Sequence, residues 1–100
     1  MNRYFKVEGD IIYPDHTFLT WGPFYYHSKE KAIEKIDCIF SNIIDWCNLK
    51  EPILEITPRN VIRNKTQVVF SIMAWKDEET LQECNGIISV EEIFFEDELN

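Results

Sequence analysis

Between Lys29 and Cys47, apolar residues return in steps of three and four, at Ala32, Ile33, Ile36, Ile39, Phe40, Ile43, Ile44 and Cys47. This period places them on one side of an α-helix, with Lys29, Glu30, Lys31, Glu34, Lys35, Asp37 and Asp45 gathered mainly on the other. Ser28 stands where an N-cap oxygen is needed, although Lys31 occupies the position at which a capping box would carry Glu or Gln. Asn48 and Pro52 bracket the stop. An apolar face this broad requires a sheet beneath it, since a solvated helix would leave it wet.

The remaining segments read as strands. Tyr4 to Tyr13 is extended, with Phe5, Val7, Ile11 and Tyr13 on one parity, Lys6, Glu8 and Asp10 on the other, and Gly9 marking a bend or bulge. Pro14-Asp15-His16 turns the chain into Thr17 to Trp21, an N-terminal hairpin that Gly22-Pro23 ends or kinks before Phe24-Tyr25-Tyr26. After the helix, Ile53 to Thr57 and Val61 to Arg63 are expected as short strands, with Asn64-Lys65-Thr66 reversing the second. Gln67 to Trp75 carries Val68, Phe70, Ile72 and Ala74 on one side and Val69, Ser71, Met73 and Trp75 on the other, which predicts a central strand buried on both faces. Asn85-Gly86 is a strong hairpin signal, so strands are expected at Thr80 to Cys84 and Ile87 to Phe95, with a short helix over Glu78 to Glu83 as the competing reading of the first. One helix among five or six strands predicts a single α+β domain over residues 1–100, the helix packed on a mostly antiparallel sheet. A chain of 100 residues, 45% of them hydrophobic, can bury its own core without a metal or disulfide staple.

The formal charge is -8, but its distribution is uneven. Residues 1–76 hold ten basic and nine acidic side chains, a net of +1, whereas residues 77–100 hold nine acidic ones and no Lys or Arg. An anionic chain is poorly suited to phosphate backbones, so no direct nucleic-acid binding is expected. Three cysteines, Cys38, Cys47 and Cys84, leave one unpaired in any scheme, and along a helix Cys38 and Cys47 stand about 13.5 Å apart, beyond disulfide reach. Reduced thiols, no signal-peptide core and no apolar run long enough for a bilayer predict a cytoplasmic protein without membrane contact.

Motifs for chemistry are lacking: three scattered glycines form no phosphate loop, His16 and His27 are not in a zinc-binding helix motif, and the cysteines have no paired spacing. The sequence therefore predicts no catalytic, cofactor-binding or metal-binding residues. Glu8 and Asp10, about 6.6 Å apart along a strand, form one of the carboxylate pairs that eighteen acidic residues supply by chance.

Two features point to binding instead. Eight of the fourteen aromatic residues fall within the first 26 positions, and Trp21, Tyr25 and Tyr26 are candidates for a contact patch. Glu91, Glu92, Glu96, Asp97 and Glu98 flank the apolar group Ile93-Phe94-Phe95. Alternate carboxylates on a strand repeat at about 6.6 Å, comparable with two phosphate steps along one DNA strand. The expectation is a protein-binding domain whose acidic surface engages a basic protein, as an immunity or phage-type antagonist of a nucleic-acid-handling protein would. The alternatives are a structural or regulatory homodimer joined through a sheet edge or the aromatic hairpin, and an enzyme without a recognisable motif.

Overall fold

In the computed structural model, which describes residues 2–95, the periodic segment forms helix α1, Lys29–Asn48. Ser28 caps it in an extended conformation, and its Oγ accepts the Lys31 N–H at 3.3 Å. The imperfect capping sequence therefore suffices, because one side-chain oxygen satisfies one of the unpaired first-turn amides. At the other end, the Asn48 amide donates to the Ile44 carbonyl at 2.8 Å and the Ile56 carbonyl at 2.9 Å, while its Oδ1 accepts the Ile56 N–H at 2.7 Å. This clasp explains why the expected strand over Ile53 to Thr57 does not form. Pro52–Leu54 is a short 3-10 turn, Glu55 is left-handed at φ 50°, and the backbone groups of Ile56 are satisfied by a side chain, leaving no ladder for them to join.

The strands are β1, Asn2–Ile12; β2, Phe18–Tyr26; β3, Arg59–Arg63; β4, Gln67–Trp75; and β5, Leu81–Phe95. They make one antiparallel sheet in the order β2-β1-β5-β4-β3. A single α+β domain with one long helix on an antiparallel sheet is thus as expected. β2 does not end at Gly22-Pro23. It continues to Tyr26 through a register shift, so that Val7 faces Phe24 while Gly9 faces Trp21.

The largest departure is at Asn85-Gly86, which lies within a continuous strand. Asn85 is opposite Ser71 and Ile12, and Gly86 is opposite Phe70 and Ile11. A Cβ at Gly86 would overlap the Phe70 ring, so the glycine serves close packing, and neither the hairpin nor the alternative helix is present. The reversal occurs earlier, at Lys76 to Thr80, where the Lys76 N–H bonds to the Thr80 carbonyl at 2.8 Å. Asp77 stabilises it by accepting the amides of Glu79 at 2.9 Å and Thr80 at 2.8 Å, and the Glu79 bond leads in lowering the Asp77 pKa.

Helix α1 lies across one sheet face. Ile36, Ile39 and Ile43 meet Val7 and Ile11 of β1, Val68, Phe70 and Ile72 of β4, and Ile88 of β5 in one core. Gly9 lets the helix approach, since a Cβ there would stand 2.6 Å from Ile39 Cγ2. Phe40 packs edge-on against Phe70 at 4.8 Å between centroids, and Trp21 likewise against Trp46 at 5.6 Å. The cysteines are unpaired: Cys47 and Cys84 are buried and Cys38 is exposed. Among the described residues no helix is long and apolar enough to cross a membrane.

Candidate protein-binding surface

Side chains alternate across a strand, so the registers also define the sheet face turned away from α1. One row crosses all five strands through Phe18, Ile12, Asn85, Ser71 and Arg59, and a second through Thr20, Asp10, Ile87, Val69 and Ile62. Lys6 lies between Tyr25 and Glu91 in a third, and Ser89 lies between Glu8 and Gln67 in a fourth. Met73 sits opposite Glu83. No helix or strand among the described residues covers these rows.

Burial follows this arrangement. In β4 the helix-side residues are buried, whereas Val69 is exposed and Ser71 and Met73 are half-buried, so the strand predicted to be covered twice is covered once. Phe18 is 63% exposed and Ile62 72% exposed, while Ile12 and Ile87 are half-buried between their neighbours. The open face therefore has an apolar centre that the core does not use.

Charged side chains border and interrupt these apolar groups. Lys6 lies 3.8 Å from both Glu8 and Glu91, and Arg59 lies 3.1 Å from Glu83. Asp10 accepts the Thr20 hydroxyl at 2.7 Å. Four carboxylates against two cations leave the face net negative. Glu8 and Asp10 are alternate residues of β1, the spacing singled out in the sequence.

The residues expected to form the contact surface do not all meet there. Tyr25 and Glu91 belong to the open face. Glu92, one residue on, points to the opposite face and pairs with Arg3 at 3.3 Å. Trp21 is half-buried against Trp46 on the helix side. Tyr26 is also on that side, where it lines a shallow groove of about 290 Å³ with Lys31, Glu34, Lys35 and Cys38. Glu96, Asp97 and Glu98 lie outside the described residues. Ile12 and Ile87 join this face without a sequence signal for it, whereas Val69 and Met73 belong to the second apolar parity of Gln67 to Trp75, which the fold leaves open instead of burying.

Polar groups elsewhere make local contacts within turns and between strands. The Asp15 carboxylate accepts the Thr17 hydroxyl at 2.6 Å and the Thr17 amide at 3.0 Å, with Lys76 3.1 Å away, and these contacts hold its pKa down at about 2. The Tyr13 hydroxyl donates to the Trp75 carbonyl at 2.8 Å, and burial raises its pKa. Burial pushes the Cys47 thiol up to about 12 and also raises that of Cys84. Among the described residues, no group of three or more His, Cys, Asp or Glu side chains is placed to hold a metal ion. Comparison with protein-family models, with curated proteins and with solved structures found no match.

Proposed function

We propose that this chain is a non-catalytic protein-binding domain, and that its open sheet face receives a partner presenting an apolar surface ringed by Lys and Arg. The observation that carries this reading is the sheet itself: five strands wide, packed by a helix on one face, with Ile12, Ile87, Val69, Ile62 and Phe18 on the other. Apolar groups within a charged rim suit a contact that excludes water at its centre, and the carboxylates Glu8, Asp10, Glu83 and Glu91 would steer a basic partner. The -8 charge of the chain extends the proposal to a partner that handles nucleic acid, whose basic groove this domain would occupy as an antagonist.

Parallel affinity captures from lysate test it, using the native chain and a variant carrying Glu8→Gln, Asp10→Asn, Glu83→Gln and Glu91→Gln. The expected result is a basic protein retained by the native chain, released by moderate salt, and bound by the variant with slower association. Equal binding of the same protein to a folded variant would remove the acidic rim from the interface. Replacing Ile62 and Val69 by Asp then tests the apolar centre, and retained binding there as well would overturn the proposal.

A further inference from the structure

The two outer strands of the sheet are interrupted. β2 carries Pro23, which has no N–H to offer, and a register shift, while β3 has Asn60 at φ 54°, a register shift and Arg at both ends. Such features discourage edge-to-edge pairing. Among the described residues, the end of β5 also has an unpaired edge, and it lacks them. β4 pairs with β5 only as far as Gln67 opposite Ser89, and the β3–β4 turn closes with the Val90 N–H donating to the Thr66 carbonyl at 2.8 Å. β5 continues to Phe95 with β1 alone beside it. Its fifteen residues span about 50 Å at strand rise, close to the 52 Å length of the molecule.

The direction of the Val90 amide sets the chemistry of this edge. Backbone groups of alternate residues point to the same side of a strand, so Glu92 and Phe94 turn their N–H and C=O groups away from β1. We propose that this edge pairs with the same edge of a second copy of the chain, antiparallel about a two-fold axis at Ile93. Each Glu92 then exchanges both backbone hydrogen bonds with Phe94 of the other copy, and all four outward groups on each chain are satisfied. The two Ile93 side chains meet in the close non-hydrogen-bonded position, with Cα atoms about 4.5 Å apart. Phe94, 54% exposed in the single chain, packs along the Glu92 stem.

The sequence selects this register and this partner. Centring the axis on Glu92 would oppose two carboxylates and require the Val90 amide, which Thr66 already holds. Centring it on Phe94 would leave the Glu92 groups without a partner among the described residues, since β5 ends at Phe95. The Ile93 register opposes no like charges among the described residues, whereas self-pairing of β3 about Val61 would set Arg59 against Arg63. The axis stands perpendicular to the sheet, so both helices lie on one side of the dimer and both open faces on the other, doubling the surface assigned to partner binding without occupying it.

Sedimentation velocity over a dilution series tests the pairing with the native chain, and is independent of any partner. A reversible dimer is expected, with amide exchange at Glu92 and Phe94 slowing as concentration rises. Ile93→Lys should weaken association by about tenfold or more, and mixing it with Ile93→Glu should restore a heterodimer. Phe94→Pro should weaken it similarly, because it removes an outward N–H and leaves the β1 ladder intact. Circular dichroism confirms that each variant is folded, and the exchange measurement on the native chain decides the matter if one is not. A native chain that stays monomeric throughout, a dimer in which the Glu92 and Phe94 amides exchange freely, or a dimer indifferent to folded Ile93→Lys and Phe94→Pro would overturn the proposal.

Discussion

The two faces of the sheet are built from the same strands, one residue out of phase, yet they are different materials. The helix side is closed by Val7, Ile11, Val68, Ile72 and Ile88 against three isoleucines of α1, and the molecule buries no charged or polar residue there or elsewhere among the described residues. The open side alternates comparable aliphatic groups with Lys6, Glu8, Asp10, Glu83 and Arg59. Apolar area lowers free energy in proportion to the water it sheds. Ile36 has shed nearly all of it, whereas Ile62 remains 72% exposed, so the first contributes far more to the isolated fold. The contrast separates residues that hold the domain together from residues that the fold leaves exposed and that the proposed contact would bury.

The sharpest way to break that comparison is to remove the same kind of group from each side. Ile36→Ala should cost about 2–5 kcal/mol, because the site is closed and the cavity can collapse only in part. Ile62→Thr should change stability by about 0.5 kcal/mol or less, since the side chain is 72% exposed and touches no core layer. Chemical denaturation of both variants is the measurement. Equal losses would show that the open face contributes to the fold and would withdraw its assignment as a contact surface.

A smaller effect, about 1–3 kcal/mol, is expected for Gly86→Ala, where the added methyl would meet the Phe70 ring. Its size measures how tightly the helix side is packed at β5. A neutral outcome would mean that the ring can swing aside and that the glycine answers a different need. The same residue marks the limit of the sequence reading. An Asn-Gly pair has identical composition whether its glycine supplies positive φ in a turn or vacates space for an aromatic ring, and the ring that decides the matter is sixteen positions away. The helix was legible because its periodicity is local and its cap is one side chain. The Ile53 to Thr57 strand was misread because β-rich composition does not reveal that Asn48 will take the Ile56 backbone groups. The open face was half-legible: parity identified Val69 and Met73 as a second apolar set, but whether anything covers such a set depends on the count of helices. One helix cannot lie on both sides. Glu91 and Glu92, grouped as one anionic surface, were divided by the pleat.

The smallest expected effect concerns the polar chemistry of the solvent side. Asp15 lies exposed in the β1–β2 turn, and its pKa is lowered to about 2 chiefly by the Thr17 hydroxyl, with the Thr17 amide and Lys76 adding to it. A carboxyl group with a depressed folded-state pKa stabilises the fold above its unfolded value, here 3.8, and that contribution is lost as pH falls through the folded value. The native chain should therefore lose stability between about pH 4 and pH 2, and Asp15→Asn should flatten part of that slope while leaving stability above pH 5 only slightly lower. Because the helix-side core contains no carboxylates, protonation in this range acts on it through no group of its own. Melting curves over that range should show the acid response in Asp15→Asn reduced and in Ile36→Ala unchanged in slope, although displaced to lower stability throughout. An acid slope altered by Ile36→Ala and untouched by Asp15→Asn would overturn the assignment of the acid response to Asp15.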